Sequence, residues 1–188
     1  MVRHNLKPYL VVCIVSVIAF ILQFETYQSY AIWQRQTILD GQWWRLITGH
    51  FTHTNTYHAL VNVATFWIMS FIFKPRPNEL VILMSVLAVC IGLLNLLTPV
   101  QEYAGLSGIL HGVFAYYALC ETLSGRKSSG LLVLGILAKV AWEQVYGASE
   151  STAELIQASV AVDAHFFGAV LGLSYAGLVW VIRNVKND

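Results

Sequence analysis

Two polar side chains that lie in apolar segments have the types needed for nucleophilic catalysis. Ser107 belongs to the run Gly105-Leu106-Ser107-Gly108 near the start of one apolar segment, and His165 lies at a matching depth in another. A neutral histidine within hydrogen-bond reach can take the proton from a serine that attacks a carbonyl, and can return it to the leaving amine. The pair therefore predicts a hydrolase whose site is buried in a membrane.

The oxyanion of such a reaction also needs hydrogen-bond donors. His58 and Asn62 lie at positions i and i+4 of a third apolar segment, so their side chains point from one helix face. With the backbone N–H of Ser107, they are candidates for these donors. Polar side chains inside a membrane are costly unless they are paired. A cluster of them in apolar segments is therefore a candidate functional site.

The composition is that of a membrane protein. Of the 188 residues, 57% are hydrophobic and 11% are charged. The sequence contains six apolar stretches, each close to the ~20 residues that span a hydrocarbon core of ~30 Å. These stretches predict an all-α bundle of six transmembrane helices that forms a single domain over residues 1–188. Their approximate bounds are 8–24, 56–73, 80–97, 104–123, 130–147 and 161–182.

The lysines and arginines predict the orientation of this bundle. If six helices alternate, only Arg35 and Arg45 lie in the loops of one side, and eight basic residues lie on the other. Cytoplasmic loops carry the excess of basic residues, so both termini are predicted to be cytoplasmic and Ser107 to lie toward the outer face. The eight are Arg3, Lys7, Lys74, Arg76, Arg126, Lys127, Arg183 and Lys186.

Small residues predict which two helices touch. Gly108 and Gly112 lie one turn apart in the fourth segment, and small residues repeat every four positions in the sixth. In lipid this spacing lets two helix backbones approach closely, as a short serine and a histidine on facing helices require. The repeat consists of Ala164, Gly168, Gly172 and Ala176.

Taken together, these motifs resemble the rhomboid intramembrane serine proteases. The resemblance is carried by four runs, and three others narrow it to the rhombosortase branch. The four are Trp44-Arg45, His53-x4-His58-x3-Asn62, Gly105-Leu106-Ser107-Gly108 and Ala164-His165-Phe166-Phe167-Gly168. The three are the run from Gly105 to Gly112, Trp142-Glu143-Gln144 and Asp163-Ala164-His165.

The resemblance implies a bacterial inner-membrane enzyme whose site faces the periplasm and which needs no metal or other cofactor. Its substrates would be membrane-anchored, exported proteins, cut near a C-terminal sorting signal with a Gly-Gly element, a transmembrane helix and a basic tail. Water or an amine on a new anchor would resolve the acyl-enzyme. Position by position, Ser107 is the implied nucleophile, His165 the general base, and His58 with Asn62 the oxyanion group. Gly105, Gly108 and Gly168 are supporting positions.

His111 departs from many rhomboids, which carry an aromatic residue one turn after the serine. At i+4 from Ser107 it lies on the same helix face. It could stack on His165, form a hydrogen bond with it, or compete with it as the base.

Lys139 and Glu143 are spaced to pair at i and i+4 inside the fifth segment. One interpretation is a neutral structural pair. The other is an acidic rim of Glu143 and Asp163 that receives the substrate or tunes His165.

Several aromatic and histidine side chains have interpretations that involve no catalytic role. His50 and His53 are expected to cap the outer loop or to face water. Trp33, Trp43 and Trp44 fit an interfacial aromatic belt.

Two other functions remain open, and one is excluded. The outer-layer histidines with Glu143 and Asp163 offer enough ligands for a zinc-dependent membrane hydrolase. A rhomboid-like protein could also bind transmembrane clients without cutting them. Nucleic-acid binding is excluded, because a net charge of +1 with scattered basic residues leaves no basic patch.

Overall fold

The computed structural model describes residues 7–185. Arg3 and Lys186, which contribute to the predicted orientation, lie outside the described residues. Elements are numbered in chain order. They are α1 (Lys7–Ile21), α2 (Glu25–Ala31), β1 (Trp33–Gln34), α3 (Arg35–Leu39), α4 (Arg45–Thr48), α5 (Thr56–Phe73), α6 (Pro77–Leu94), a 3-10 turn (Asn95–Leu97), β2 (Glu102–Tyr103), α7 (Ser107–Leu123), α8 (Ser129–Tyr146), α9 (Glu150–Ile156) and α10 (Val162–Val185).

The fold is an all-α bundle, and each of the six predicted segments overlaps one long helix. Within residues 7–185, three helices are apolar and long enough to cross a membrane alone: α5, α6 with its 3-10 turn, and α10. Two bent pairs, α1 with α2 at 106° and α8 with α9 at 87°, raise the number to five if each is one span. The count of six and the location of the termini remain predictions.

Helix α7 lies at the centre of the bundle and is shorter than a hydrocarbon core. Its 17 residues span about 25 Å at ~1.5 Å per residue, against ~30 Å for the core. The predicted segment began at residue 104, but the helix begins at Ser107 because Gly105 has a φ of +129°, which lies outside the helical region.

The predicted contact between glycine-bearing helices is present between α7 and α10. A Cβ atom at Gly168 would overlap the carbonyl oxygen of Gly108, and one at Gly172 would overlap that of Gly112. The two backbones therefore touch directly, and this contact brings the first turns of α7 and α10 together.

The segment from α2 to α4 packs against the chain that leads into α7, which the sequence did not reveal. Strand β1 pairs antiparallel with β2, with Trp33 opposite Tyr103. The guanidinium of Arg35 donates to the carbonyl oxygens of Asn95, Leu96, Thr98 and Val100. Trp33 is fully buried and donates from Nε1 to the Gly92 carbonyl at 3.0 Å, so its predicted place in an interfacial belt is wrong.

Arg45 holds the same segment together from within. Its side chain is buried and donates to the carbonyl oxygens of Ser29 and Ile32 at 3.0 and 2.7 Å. The adjacent Trp44 is half exposed and donates to the Tyr30 carbonyl. This pair fixes α4 against α2.

Candidate active site

Ser107 is the first residue of α7, and a tight turn places it there. A Cβ atom at Gly105 would lie 2.7 Å from Cε1 and 2.8 Å from Nε2 of His58, and its φ of +129° favours glycine. The Gly105 N–H donates to the Gly49 carbonyl at 3.1 Å, and its own carbonyl accepts from the Tyr103 hydroxyl at 2.5 Å. Gly105, two residues before the helix, is thus held through both its N–H and its carbonyl group.

Four side chains form a continuous hydrogen-bonded chain that begins at Ser107. Nε2 of His165 lies 2.9 Å from the Ser107 Oγ, and Nδ1 of the same ring lies 2.9 Å from Oε2 of Glu143. The other carboxylate oxygen of Glu143 accepts from Nζ of Lys139 at 2.6 Å. Helices α7, α10 and α8 each contribute to the chain, in which a serine, a base and a carboxylate follow one another.

His111 stacks on His165. The two ring centroids lie 4.0 Å apart, with 13° between the ring planes. Nδ1 of His111 donates to the Ser107 carbonyl at 2.7 Å, because a carbonyl can only accept. The sequence left three roles open for His111. In this geometry, His111 is the ring that stacks on His165.

His58 and Asn62 flank Ser107 on α5. Nδ1 of His58 lies 3.0 Å from the Thr54 hydroxyl, which donates to the Ile156 carbonyl at 2.7 Å. Nδ2 of Asn62 donates one hydrogen to the His58 carbonyl at 2.9 Å. An amide nitrogen carries two hydrogens, so Asn62 keeps a second one for a ligand.

A cavity of about 920 Å³ connects these groups between α5 and α8. The side chains of Ser107, His58, Asn62 and His165 line it, together with apolar residues of both helices. Helix α9 borders the cavity and is tied to the start of α5, because Asn55 donates to the Leu155 carbonyl at 2.9 Å.

His50 and His53 are fully buried, so the expectation that they cap the loop or face water is wrong. Nε2 of His50 lies 3.0 Å from the Ala88 carbonyl and Nδ1 lies 3.1 Å from the Tyr103 hydroxyl. Nε2 of His53 accepts from the Leu106 N–H at 3.4 Å. Burial lowers the pKa of His50 to about 4, and burial followed by the nearby His58 lowers the pKa of His53 to about 3. The lowered pKa values favour neutral rings, and both rings support the turn before Ser107. In a neutral His50 whose Nε2 donates to Ala88, the Tyr103 hydroxyl must turn from Gly105 to donate to Nδ1.

Asp163 does not join the cluster. Within residues 7–185 it makes no ion pair and no side-chain hydrogen bond, so the structure does not form the acidic rim of Glu143 and Asp163. Glu143 alone reaches His165.

His111, Glu143 and His165 are the candidate metal ligands that lie closest together in the described residues. Their ligand atoms lie within 4.8 Å of one another, close enough for one ion. An imidazole binds a metal through a lone pair in the ring plane, however, and the planes of His111 and His165 are almost parallel. One ring would have to turn out of the stack before both could bind one ion.

Sequence reasoning missed Thr54, Tyr103 and Arg35. Each makes a contact with a residue more than thirty positions away in the sequence. Arg35 donates to the Leu96 carbonyl, Tyr103 contacts His50, and Thr54 donates to the Ile156 carbonyl. No local spacing signals such contacts.

Comparison with known proteins identifies the family to which this chain is similar. A family model described as the Rhomboid domain matches residues 40–182. The rhomboid protease GlpG of Yersinia pestis (strain Pestoides F) is 24% identical over 182 residues, which cover 93% of this chain and 62% of that protein. The protein of the same name from Yersinia pseudotuberculosis serotype O:3 (strain YPIII) gives the same values. The chain thus spans about three fifths of the length of these relatives.

Proposed function

Because the chain belongs to the rhomboid family, we propose that it is an intramembrane serine endopeptidase with Ser107 as nucleophile and His165 as general base. The observation that carries the proposal is the distance of 2.9 Å between the Ser107 Oγ and Nε2 of His165. This is within reach for proton transfer. The serine also opens onto a cavity large enough for a peptide segment.

The proposed reaction begins when His165 takes the Ser107 proton and Oγ attacks the scissile carbonyl. The oxyanion that forms is stabilised by the Ser107 N–H, by the free hydrogen of Asn62 and by His58. The peptide nitrogen then receives the proton from His165 and leaves, and the acyl group stays on Ser107.

Glu143 is proposed to orient the base. A carboxylate bonded to Nδ1 fixes the ring so that Nε2 faces the serine, and it stabilises the imidazolium formed during attack. Lys139 partly neutralises this carboxylate. Glu143 would thereby be the third member of a Ser107–His165–Glu143 arrangement.

His58 donates from Nε2 only under one of two conditions. The Thr54 hydroxyl gives its hydrogen to the Ile156 carbonyl, so Nδ1 of His58 must donate to Thr54, and Nε2 of a neutral ring then has no hydrogen. Either the ring is protonated or the Thr54 hydroxyl turns toward Nδ1. Asn62 and the Ser107 N–H need no such change.

The proposed substrate is a membrane-anchored protein with a C-terminal transmembrane signal of the rhombosortase type. Two adjacent glycines are poor helix formers, so a Gly-Gly element would present an extended backbone to Ser107. The apolar walls of the cavity on α5 and α8 suit a helix that enters sideways between them. The proposed setting is the bacterial inner membrane, with both termini cytoplasmic and the site facing outward.

The acyl-enzyme is proposed to be resolved by water or by an amine on a new anchor. Both nucleophiles attack the same carbonyl, and His165 takes a proton from either. Mass spectrometry of the released protein distinguishes a free carboxylate from an amide.

Labelling with a serine-directed fluorophosphonate tests the nucleophile and the base. We expect labelling to be lost in Ser107→Ala and His165→Ala, and to persist in His111→Ala and with a chelator. Labelling that does not require Ser107 would contradict the proposal. Activity that survives Ser107→Ala and disappears with a chelator would support the metal-dependent hydrolase, for which His111, Glu143 and His165 lie close enough.

A cleavage assay tests the substrate class. The substrate is a reporter that ends in a Gly-Gly element, a transmembrane helix and a basic tail, and the control carries Leu-Leu in place of Gly-Gly. We expect cleavage of the first reporter only. Intact reporters with a fully labelled Ser107 would point to another substrate, and intact reporters without any labelling of Ser107 would point to the client-binding alternative.

A further inference from the structure

A second cavity lies at the end of the bundle opposite Ser107. It has a volume of about 570 Å³ and lies between the first turn of α6 and the last turns of α10. Arg183, in its wall, follows His165 by eighteen residues along α10, which corresponds to about 27 Å. This cavity, here called the α6–α10 cleft, is therefore separate from the candidate active site.

The rim of the cleft carries an excess of positive charge. Arg76 and Arg183 line the cleft together with a single carboxylate, that of Glu79. The Tyr116 hydroxyl donates to Oε1 of Glu79 at 2.5 Å, and Nη2 of Arg183 lies 3.8 Å from the same oxygen. That second distance is too long for a hydrogen bond, so the guanidinium donors of Arg183 remain available. Within residues 7–185, Arg76 forms no ion pair.

Below the rim, the cleft becomes apolar along the helix axes. Ile82 lies one turn into α6 from Glu79, and Val179 lies one turn into α10 from Arg183; both line the cleft. Tyr175 lies a further turn along α10 and is half buried. From its rim inward, the cleft thus changes from charged to apolar, as a bilayer does from its headgroups to its acyl chains.

We propose that the α6–α10 cleft binds an anionic phospholipid. Arg76 and Arg183 hold the phosphodiester, since a guanidinium matches two phosphate oxygens at once. One acyl chain lies along Ile82, Val179 and Tyr175. Basic pockets between transmembrane helices bind headgroups of this kind.

The net charge of the cleft decides the lipid class. Two arginines and one glutamate give +1, which a phosphodiester with a neutral headgroup balances. A zwitterionic lipid would bring a second cation to a rim that is already positive. Phosphatidylglycerol is therefore favoured over phosphatidylcholine with the same acyl chains.

Native mass spectrometry of protein released from mixed micelles tests this inference. Phosphatidylglycerol and phosphatidylcholine are offered at equal concentrations to the wild-type chain and to Arg76→Gln, Arg183→Gln and the double variant. The matched control is Arg126→Gln. The Arg126 side chain is 62% exposed, as is that of Arg183, and each lies near one glutamate, but Arg126 does not line the cleft.

We expect one tightly retained phosphatidylglycerol and about fivefold weaker retention for each cleft arginine removed, since one basic side chain at an anionic surface contributes on the order of 1 kcal/mol. Arg126→Gln should retain the lipid like the wild type, and excess inorganic phosphate should not displace it because the acyl contacts remain. Equal retention of both lipids, equal losses in all arginine variants, or displacement by inorganic phosphate would each overturn the proposal. Far-ultraviolet circular dichroism checks that every variant is folded.

Discussion

The carboxylate of Glu143 lies 2.9 Å from Nδ1 of His165, across the ring from the nitrogen that contacts Ser107. Helix α8 carries this glutamate, whereas the serine and the histidine come from α7 and α10, which touch through glycines. A third helix is thereby coupled to the proposed catalytic pair. Movement of α8 would change the orientation of the base.

Glu143→Gln is expected to lower kcat about a hundredfold, at the low end of what general acid–base catalysis contributes. The amide keeps the shape of the side chain but cannot stabilise an imidazolium by its charge. Initial rates on the Gly-Gly reporter, at saturating and low concentration, separate kcat from KM. The control is Glu154→Gln, which makes the same substitution at an exposed glutamate on α9. Equal rates for both variants would remove Glu143 from the proposed mechanism.

Lys139→Met is expected to cost only about fivefold in kcat. Lys139 contacts Glu143, but the bond between Glu143 and His165 survives its removal, and half-exposed ion pairs contribute little. Lys139→Arg should be close to wild type. If Lys139→Met were as inactive as Glu143→Gln, the lysine would be essential for holding Glu143 against His165, and the expected fivefold loss would be wrong.

Gly168→Ala is expected to destabilise the bundle by about 1–3 kcal/mol, as overpacking of a tight contact does. The added methyl group would overlap the Gly108 carbonyl and push α10 away from α7. Gly177→Ala is the matched control, because its Cβ atom would meet nothing within 4 Å. Thermal unfolding in detergent, with fluorophosphonate labelling in parallel, measures both effects. Equal melting temperatures would mean that the helix contact is looser than described.

Much of this arrangement follows from local sequence patterns. Long apolar runs predicted the main helices, because a bilayer leaves backbone groups no other partner. The four-residue spacing of Gly168 and Gly172 predicted the close helix contact. The motifs around Ser107 and His165 predicted the pair that the structure brings to 2.9 Å.

Other features depend on contacts that no local pattern encodes. The spacing of Glu143 after Lys139 predicted their ion pair, but only the rotation of α8 against α10 decides that Glu143 also reaches His165. Strands β1 and β2 have two residues each, which is too short for a periodic signal. His50 is polar and lies outside the helices, yet its ring is fully buried and contacts Ala88 of α6 and Tyr103 of β2, both more than thirty residues away.

Acid is expected to destabilise the protein through His50 and His53. Their folded-state pKa values of about 4 and about 3 lie below the ordinary value of about 6.5. Between these values the unfolded chain binds protons that the folded chain does not, so their stabilising effect is full above pH ~6.5 and is lost as the pH falls toward 4. Melting temperatures should change little between pH 8 and about pH 6.5 and should fall from there to pH 4.5. His50→Asn should show a shallower fall, and an unchanged slope would mean that His50 is not neutral when folded.

Arg35→Ala is expected to destabilise the turn before Ser107 and to lower activity. The guanidinium satisfies four carbonyl oxygens of residues 95–100, and this segment continues through β2 into Gly105. Loss of hydrogen bonds from a charged group costs about 1.5–3 kcal/mol each at most, and water can replace part of them. We therefore expect a loss of about 2–4 kcal/mol in unfolding free energy.

Arg35→Lys discriminates between charge and geometry in this interaction. A lysine keeps the charge but has three donors on one nitrogen, so it cannot span carbonyl oxygens that a planar guanidinium reaches. We expect its stability and its rate of fluorophosphonate labelling to lie between those of the wild type and Arg35→Ala. Wild-type values for Arg35→Lys would show that positive charge alone holds the segment. Stability lost without any change in labelling would show that the turn at Ser107 does not depend on this anchor.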